Sequence, residues 1–130
     1  MRPSTKEISI LPLKKAALSL EKALSQTKNE FTRDATIQRF EYTFELAWKT
    51  LKRYIESNTK ISEFNLKNLF REAGKQGLIT SVEKWFHYLV IRNQTSHTYD
   101  ERVAEETYLV AQAFLVDLNK LIYSLEMKLD

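Results

Sequence analysis

Cysteine is absent from the 130 residues, and glycine and proline occur only twice each. The first absence excludes a disulfide framework and any thiolate metal site, and it fits a reducing compartment. So little glycine and proline excludes a loop-rich sandwich and favours long helices with short connections. No apolar run approaches the roughly 20 residues that a membrane span requires. The opening stretch "MRPSTKEISILPLKK" lacks the long apolar centre and small-residue cleavage site of a signal peptide. Strong charge of one sign is missing too. Twenty basic and seventeen acidic residues leave a net charge of +3, too mild to argue nucleic-acid binding from charge alone. The expectation is a cytoplasmic protein with no membrane segment, forming a single domain over residues 1–130.

What is present is helical periodicity. Pro12 suits the opening turn of a helix whose face is Leu13, Ala17, Leu20 and Leu24, ending near Lys28 or Asn29. Thr32 or Asp34 can cap a second helix, with Ile37, Phe40, Phe44, Ala47, Trp48, Leu51 and Ile55 on one face, fading at "ESN". Leu66, Leu69, Phe70 and Ala73 mark a short third helix, which Gly74 is placed to end in a left-handed turn, with Gly77 a second break. Thr80 and Glu83 have capping-box spacing ahead of a fourth helix carrying Val82, Trp85, Phe86, Leu89 and Val90. Asp100 can cap a fifth, with Val103, Thr107, Val110, Phe114, Leu118, Leu121 and Leu125 as its stripe. This pattern predicts an all-α fold, an antiparallel up-and-down four-helix bundle with one additional short helix. Tyr42, Trp85, Tyr88 and Tyr108 do not all fit the main stripes. They are expected to leave aromatic surface for another subunit.

The segment "RNQTSHTYDE", residues 92–101, concentrates polar chemistry between the fourth and fifth helices. On one straight helix Arg92 and His97 would point about 140° apart and could not share a ligand. Two arrangements bring them together. The helix can stop within "NQTS", a run of poor helix formers whose side chains compete for backbone partners, letting His97 fold back. Alternatively, two copies related by a dyad can each supply part of one cleft. Such a pair suits cleavage of an RNA phosphodiester. An imidazole can take the proton from the attacking 2′-hydroxyl and return one to the leaving oxygen. A guanidinium can stabilise the charge growing on the phosphate. Asn93 can hold a phosphate or base, and Tyr99 can stack on a base or donate a hydrogen bond. The plainer alternative is that Arg92 only interacts with the helix dipole and His97 only caps a carbonyl. His87 reads as a packing or surface residue. Two histidines ten residues apart, with no cysteine, make no zinc ligand set.

"RNQTSHTY" resembles the R-x4-6-H pattern of HEPN domains, with a polar residue after the arginine, and it fits the longer R-x4-H-x-Y form. "RFEYTFELAWKTLKRYI", "LFREAGKQGLI" and "WFHYLVIRNQTSHTYDE" resemble the hallmark blocks of the nucleotidyltransferase substrate-binding protein family, a HEPN subgroup, across essentially the whole chain. The resemblance implies a helical bundle that dimerises through its motif-bearing helices and works beside a minimal nucleotidyltransferase. Two activities follow from it. In one, the chain is the toxin of a toxin–antitoxin pair, a metal-independent endoribonuclease without a cofactor. Arg92 and His97 are then catalytic, Asn93 and Tyr99 bind substrate, and Tyr99 is a candidate acceptor of a transferred nucleotide. In the other, it is a non-catalytic subunit that binds substrate or nucleotide for the transferase.

Overall fold

A computed structural model describes residues 8–59 and 65–129. Among the described residues five α-helices follow one another: α1 (Leu11–Leu24), α2 (Glu30–Asn58), α3 (Leu66–Lys75), α4 (Val82–Asn93) and α5 (Glu101–Leu129). A single 3₁₀ turn, Thr95–His97, lies between α4 and α5. Helices α1, α2, α4 and α5 form the expected antiparallel up-and-down bundle, with α3 as the additional short helix. Side-chain pairs fix the directions. Arg39 and Tyr42 of α2 both reach back to the Ser19 hydroxyl of α1. Lys14, near the start of α1, pairs with Glu126, near the end of α5. The alternate helices α2 and α5 run the same way, since Arg33 meets Glu101 and Phe40 meets Phe114.

Phe114 lies in the core. Its ring stands nearly perpendicular to Phe40 at 5.1 Å and to Tyr88 at 5.2 Å, and it also packs against Trp85 and Phe44. Edge-to-face contacts of this kind add to the burial of the rings themselves. Threonines buried among these apolar groups keep their hydroxyls satisfied. Thr36, Thr50 and Thr107 each donate to the carbonyl one helical turn back, and Thr43 donates to Ala16 across α1 and α2. A buried hydroxyl without such an acceptor would be costly.

Local signals place the ends differently from the sequence reading in several positions. α1 stops at Leu24 rather than near Lys28, because Asn29 is extended and already caps α2. The Asn29 carboxamide accepts from the Thr32 amide, and the Thr32 hydroxyl accepts from the Asn29 amide. Thr32 is therefore the inner half of a capping box and not the cap, and Asp34 lies within the helix. At α4 the cap is Ser81, whose hydroxyl accepts from the Lys84 amide, instead of Thr80. Gly74 sits inside α3. A Cβ there would meet the Val82 side chain at 2.5 Å, so this glycine permits close approach of the chain. The left-handed residue is Gly77, with φ of 73°.

The aromatic residues also differ from expectation. Trp85, Tyr88 and Tyr108 are all buried, leaving only Tyr42 of the expected set on the surface. Val90 is exposed, and the inward face of α4 is Trp85, Tyr88 and Ile91. The aromatic argument for a second subunit therefore loses three of its four residues.

Candidate functional site

The break expected within "NQTS" is present. α4 ends at Asn93, and Gln94 donates its amide to the Ile91 carbonyl at 3.0 Å. The Thr95 hydroxyl donates to the Arg92 carbonyl at 2.7 Å, satisfying a group that the ended helix leaves unpaired. The His97 amide then donates to Gln94, and Asp100 donates back to the His97 carbonyl. Asp100 accepts from the Arg102 amide at 2.9 Å, opening α5 as expected. Side chains that compete with the helix thus stop one helix and start the next.

Two separate pairs result. His97 and Tyr99 are both exposed and face each other, with Nδ1 3.1 Å from the phenol oxygen and the rings edge to face at 5.8 Å. Arg92 is half-buried and turns toward α2, where its Nη2 forms an ion pair with Glu45 Oε1 at 2.6 Å. Its Nε is shut away from solvent with no hydrogen-bond partner. Glu45 takes a second donor on its other oxygen, the Trp48 indole N–H at 3.2 Å. Asn93 is exposed at the last position of α4. Among the described residues no hydrogen bond or ion pair joins Arg92 to His97. The fold brings His97 to Tyr99 and Arg92 to Glu45.

The other end of the motif is tied down by charge. Arg33 of α2 is buried and pairs with Glu101 at 2.6 Å, Glu105 at 3.3 Å and Asp34 at 3.3 Å. Its guanidinium is held above the usual arginine range, chiefly by the hydrogen bond to Glu101. Lys28 pairs with Glu105 as well and lies over the Tyr108 ring. The Glu105 carboxyl is held below the usual range, first by Lys28 and then by Arg33. Residues 93–100 are therefore suspended between two anchors on α2, Glu45 at one end and Arg33 at the other. The sequence reading missed both. Nothing in the periodicity of α2 says which of its charged residues faces the α4–α5 turn.

His87 is exposed on α4, and no group of three or more potential metal ligands occurs among the described residues. No helix of the described residues is long and apolar enough to cross a membrane.

The family model described as nucleotidyltransferase substrate binding protein like matches residues 9–127. This chain belongs to that family. A relative from Haemophilus influenzae, named "Probable ribonuclease HepT", is 35% identical over 96 residues. The match takes in 71% of this chain and 66% of that relative's length. A crystal structure from Thermus thermophilus superposes with a TM-score of 0.81 at 28% identity, covering 87% of this chain and 98% of the other. A Haemophilus influenzae structure does so with a TM-score of 0.81 at 29% identity, covering 91% and 99%. That second structure was described as revealing the fold of a substrate binding domain of a nucleotidyltransferase. Membership of the nucleotidyltransferase substrate binding protein like family agrees with the resemblance read from the three sequence blocks.

Proposed function

We propose that this protein is a HEPN-type, metal-independent endoribonuclease, restrained by a cognate nucleotidyltransferase in a toxin–antitoxin pair. The observation that carries the reading is the helix break itself. It puts Arg92 on the last turn of α4 and displays the His97–Tyr99 pair on the exposed turn beyond it. The ribonuclease name of the Haemophilus relative supports the same activity.

In this reading two copies associate through their motif-bearing helices, and the guanidinium of one protomer meets the imidazole of the other. His97 takes the proton of a ribose 2′-hydroxyl as its oxygen attacks the adjacent phosphorus. The bond to the 5′-oxygen breaks, a protonated imidazole supplies the leaving group's proton, and a 2′,3′-cyclic phosphate remains. Arg92 donates to the non-bridging oxygens as their charge grows. Asn93 and Tyr99, both exposed beside this pair, contact phosphate or base. Tyr99 is also the acceptor through which the partner silences the enzyme. Its phenol oxygen displaces pyrophosphate from ATP, the phenol proton is released, and the attached AMP sets negative charge where RNA phosphate would lie.

Purified protein is expected to cut RNA in EDTA, with the activity lost in Arg92→Ala and in His97→Ala. A folded His97→Ala variant that still cuts would remove the catalytic assignment.

A second reading has its own support. The pairing of Arg92 with Glu45 and of His97 with Tyr99, together with the substrate-binding description of the family, fits a non-catalytic subunit that binds substrate or nucleotide for the transferase. Tight binding of nucleotide and transferase, with no RNA cleavage at any dimer concentration, would favour it.

A further inference from the structure

The Arg92 guanidinium is not free to search for a phosphate. One of its terminal nitrogens is held by Glu45 at 2.6 Å, and its Nε faces the protein interior without a partner. Nε makes no hydrogen bond, so a side-on grip through Nε and Nη2 together is not completed. Glu45 is itself held. Trp48, three residues further along α2 and so on the neighbouring face, donates its indole N–H to the second carboxylate oxygen at 3.2 Å. Each oxygen of Glu45 thus has one partner, the Arg92 guanidinium on Oε1 and the Trp48 N–H on Oε2.

We propose that Glu45 is a positioning residue for Arg92, itself oriented by Trp48. This rests on the nuclease reading for its kinetic consequences. The physical need is plain. A long, rotamer-rich arginine stabilises a transition state only if it is already aimed, because misplacement by about 1 Å can cost about 100-fold in rate. Glu45 supplies the aim and balances the cation while no phosphate is bound. α2 contributes no group that touches RNA in this scheme, yet it sets where the guanidinium points.

The ion pair also joins α2 to α4, so a purely structural role must be told apart from a positioning one. Glu45→Ala removes both functions. Glu45→Gln keeps an acceptor for Nη2 but sets an amide N–H against the Trp48 indole. Trp48→Phe keeps the ring and removes only the N–H. Two readouts apply to each variant: RNA cleavage under saturating and limiting substrate, and the rate at which phenylglyoxal modifies Arg92, followed by mass spectrometry. Glu45→Ala is expected to lower kcat about 10- to 100-fold with KM little changed, and Gln to restore part of the loss. Trp48→Phe should lower kcat several-fold alone and have no further effect in the Glu45→Ala background, as for residues acting in series. Arg92 should react several-fold faster with phenylglyoxal in Glu45→Ala and in Trp48→Phe. Wild-type kcat and unchanged Arg92 reactivity in folded Glu45→Gln and Trp48→Phe would overturn the proposal, even if Glu45→Ala fails to fold. Should the wild-type protein cut no RNA while Arg92 still becomes more reactive in these variants, the nuclease reading fails and the hold of Glu45 on Arg92 stands.

Discussion

The imidazole Nδ1 of His97 lies 3.1 Å from the hydroxyl of Tyr99, two residues along an exposed turn. The phenol is thus the histidine's hydrogen-bond partner within the protomer, and the two groups share one fate. Modification of the tyrosine oxygen replaces that bond with a phosphodiester beside the ring.

Tyr99→Phe separates the two roles. Losing one neutral hydrogen bond, worth about 1 kcal/mol, should slow RNA cleavage about fivefold without unfolding the protein. Incubation of the wild-type protein with the partner transferase and ATP should add mass in steps of one AMP, and Tyr99→Phe should gain none. An equal gain in the variant would place the modification on another residue.

The charged anchor at the start of α5 predicts an acid-sensitive contribution to stability. The Glu105 carboxyl is lowered by Lys28 and Arg33. A depressed carboxyl stabilises the fold fully above its unfolded value, near pH 4 to 5, and that contribution is lost as pH falls through the lower folded value. Arg33, raised in the fold, stays protonated throughout. Arg33→Met should cost about 2 kcal/mol. This is less than breaking a fully buried pair, because the carboxylates left behind can reach water. It should also flatten the acid limb of a denaturant-melt series between pH 5 and 3. An unchanged acid limb would mean that Arg33 does not hold Glu105 and that Lys28 alone does.

A third prediction concerns the core. The buried Tyr88 hydroxyl donates to the buried Asp117 carboxylate, whose nearest cation, Lys120, is 4.0 Å away. Burial first, and then Asp117, push the phenol above its usual range. A phenol raised in this way stabilises the fold below pH 10, and that contribution is lost as pH climbs above the unfolded value. Tyr88→Phe strands the carboxylate and should cost about 2 to 3 kcal/mol at neutral pH. The alkaline limb of stability should also flatten. A neutral Tyr88→Phe would show that the carboxylate finds another donor.

Much of this architecture was legible because it depends on neighbours in the chain. Of the α2 stripe, Ile37, Phe40, Phe44, Ala47, Leu51 and Ile55 are buried as their spacing requires, and Trp48 is half-buried. The end of α4 falls where Thr95 can satisfy the Arg92 carbonyl, a local event that the residues of "NQTS" announce. Caps misplaced by one to five residues, as with Asn29 and Ser81, reflect several nearby groups able to do the same work. Tyr88 and Tyr108 were misread for a different reason. The buried face of a helix in a bundle is wider than one stripe, and flanking helices decide which edge positions are covered. Glu45 and Arg33 were illegible because their partners lie on other helices. Only the packing of α4 and α5 on α2 selects them from the many charged residues of that helix.

The most direct measurement of the central claim mixes two dead proteins. Arg92→Ala and His97→Ala are unfolded together, refolded and assayed on RNA in EDTA. If the pocket takes its guanidinium from one protomer and its imidazole from the other, mixed dimers contain one intact pocket. Activity should then return to about a quarter of the wild-type level, by random pairing of equal amounts about a two-fold axis. A mixture as inactive as either parent, while the wild-type protein cuts RNA under the same conditions, would contradict a pocket shared between protomers.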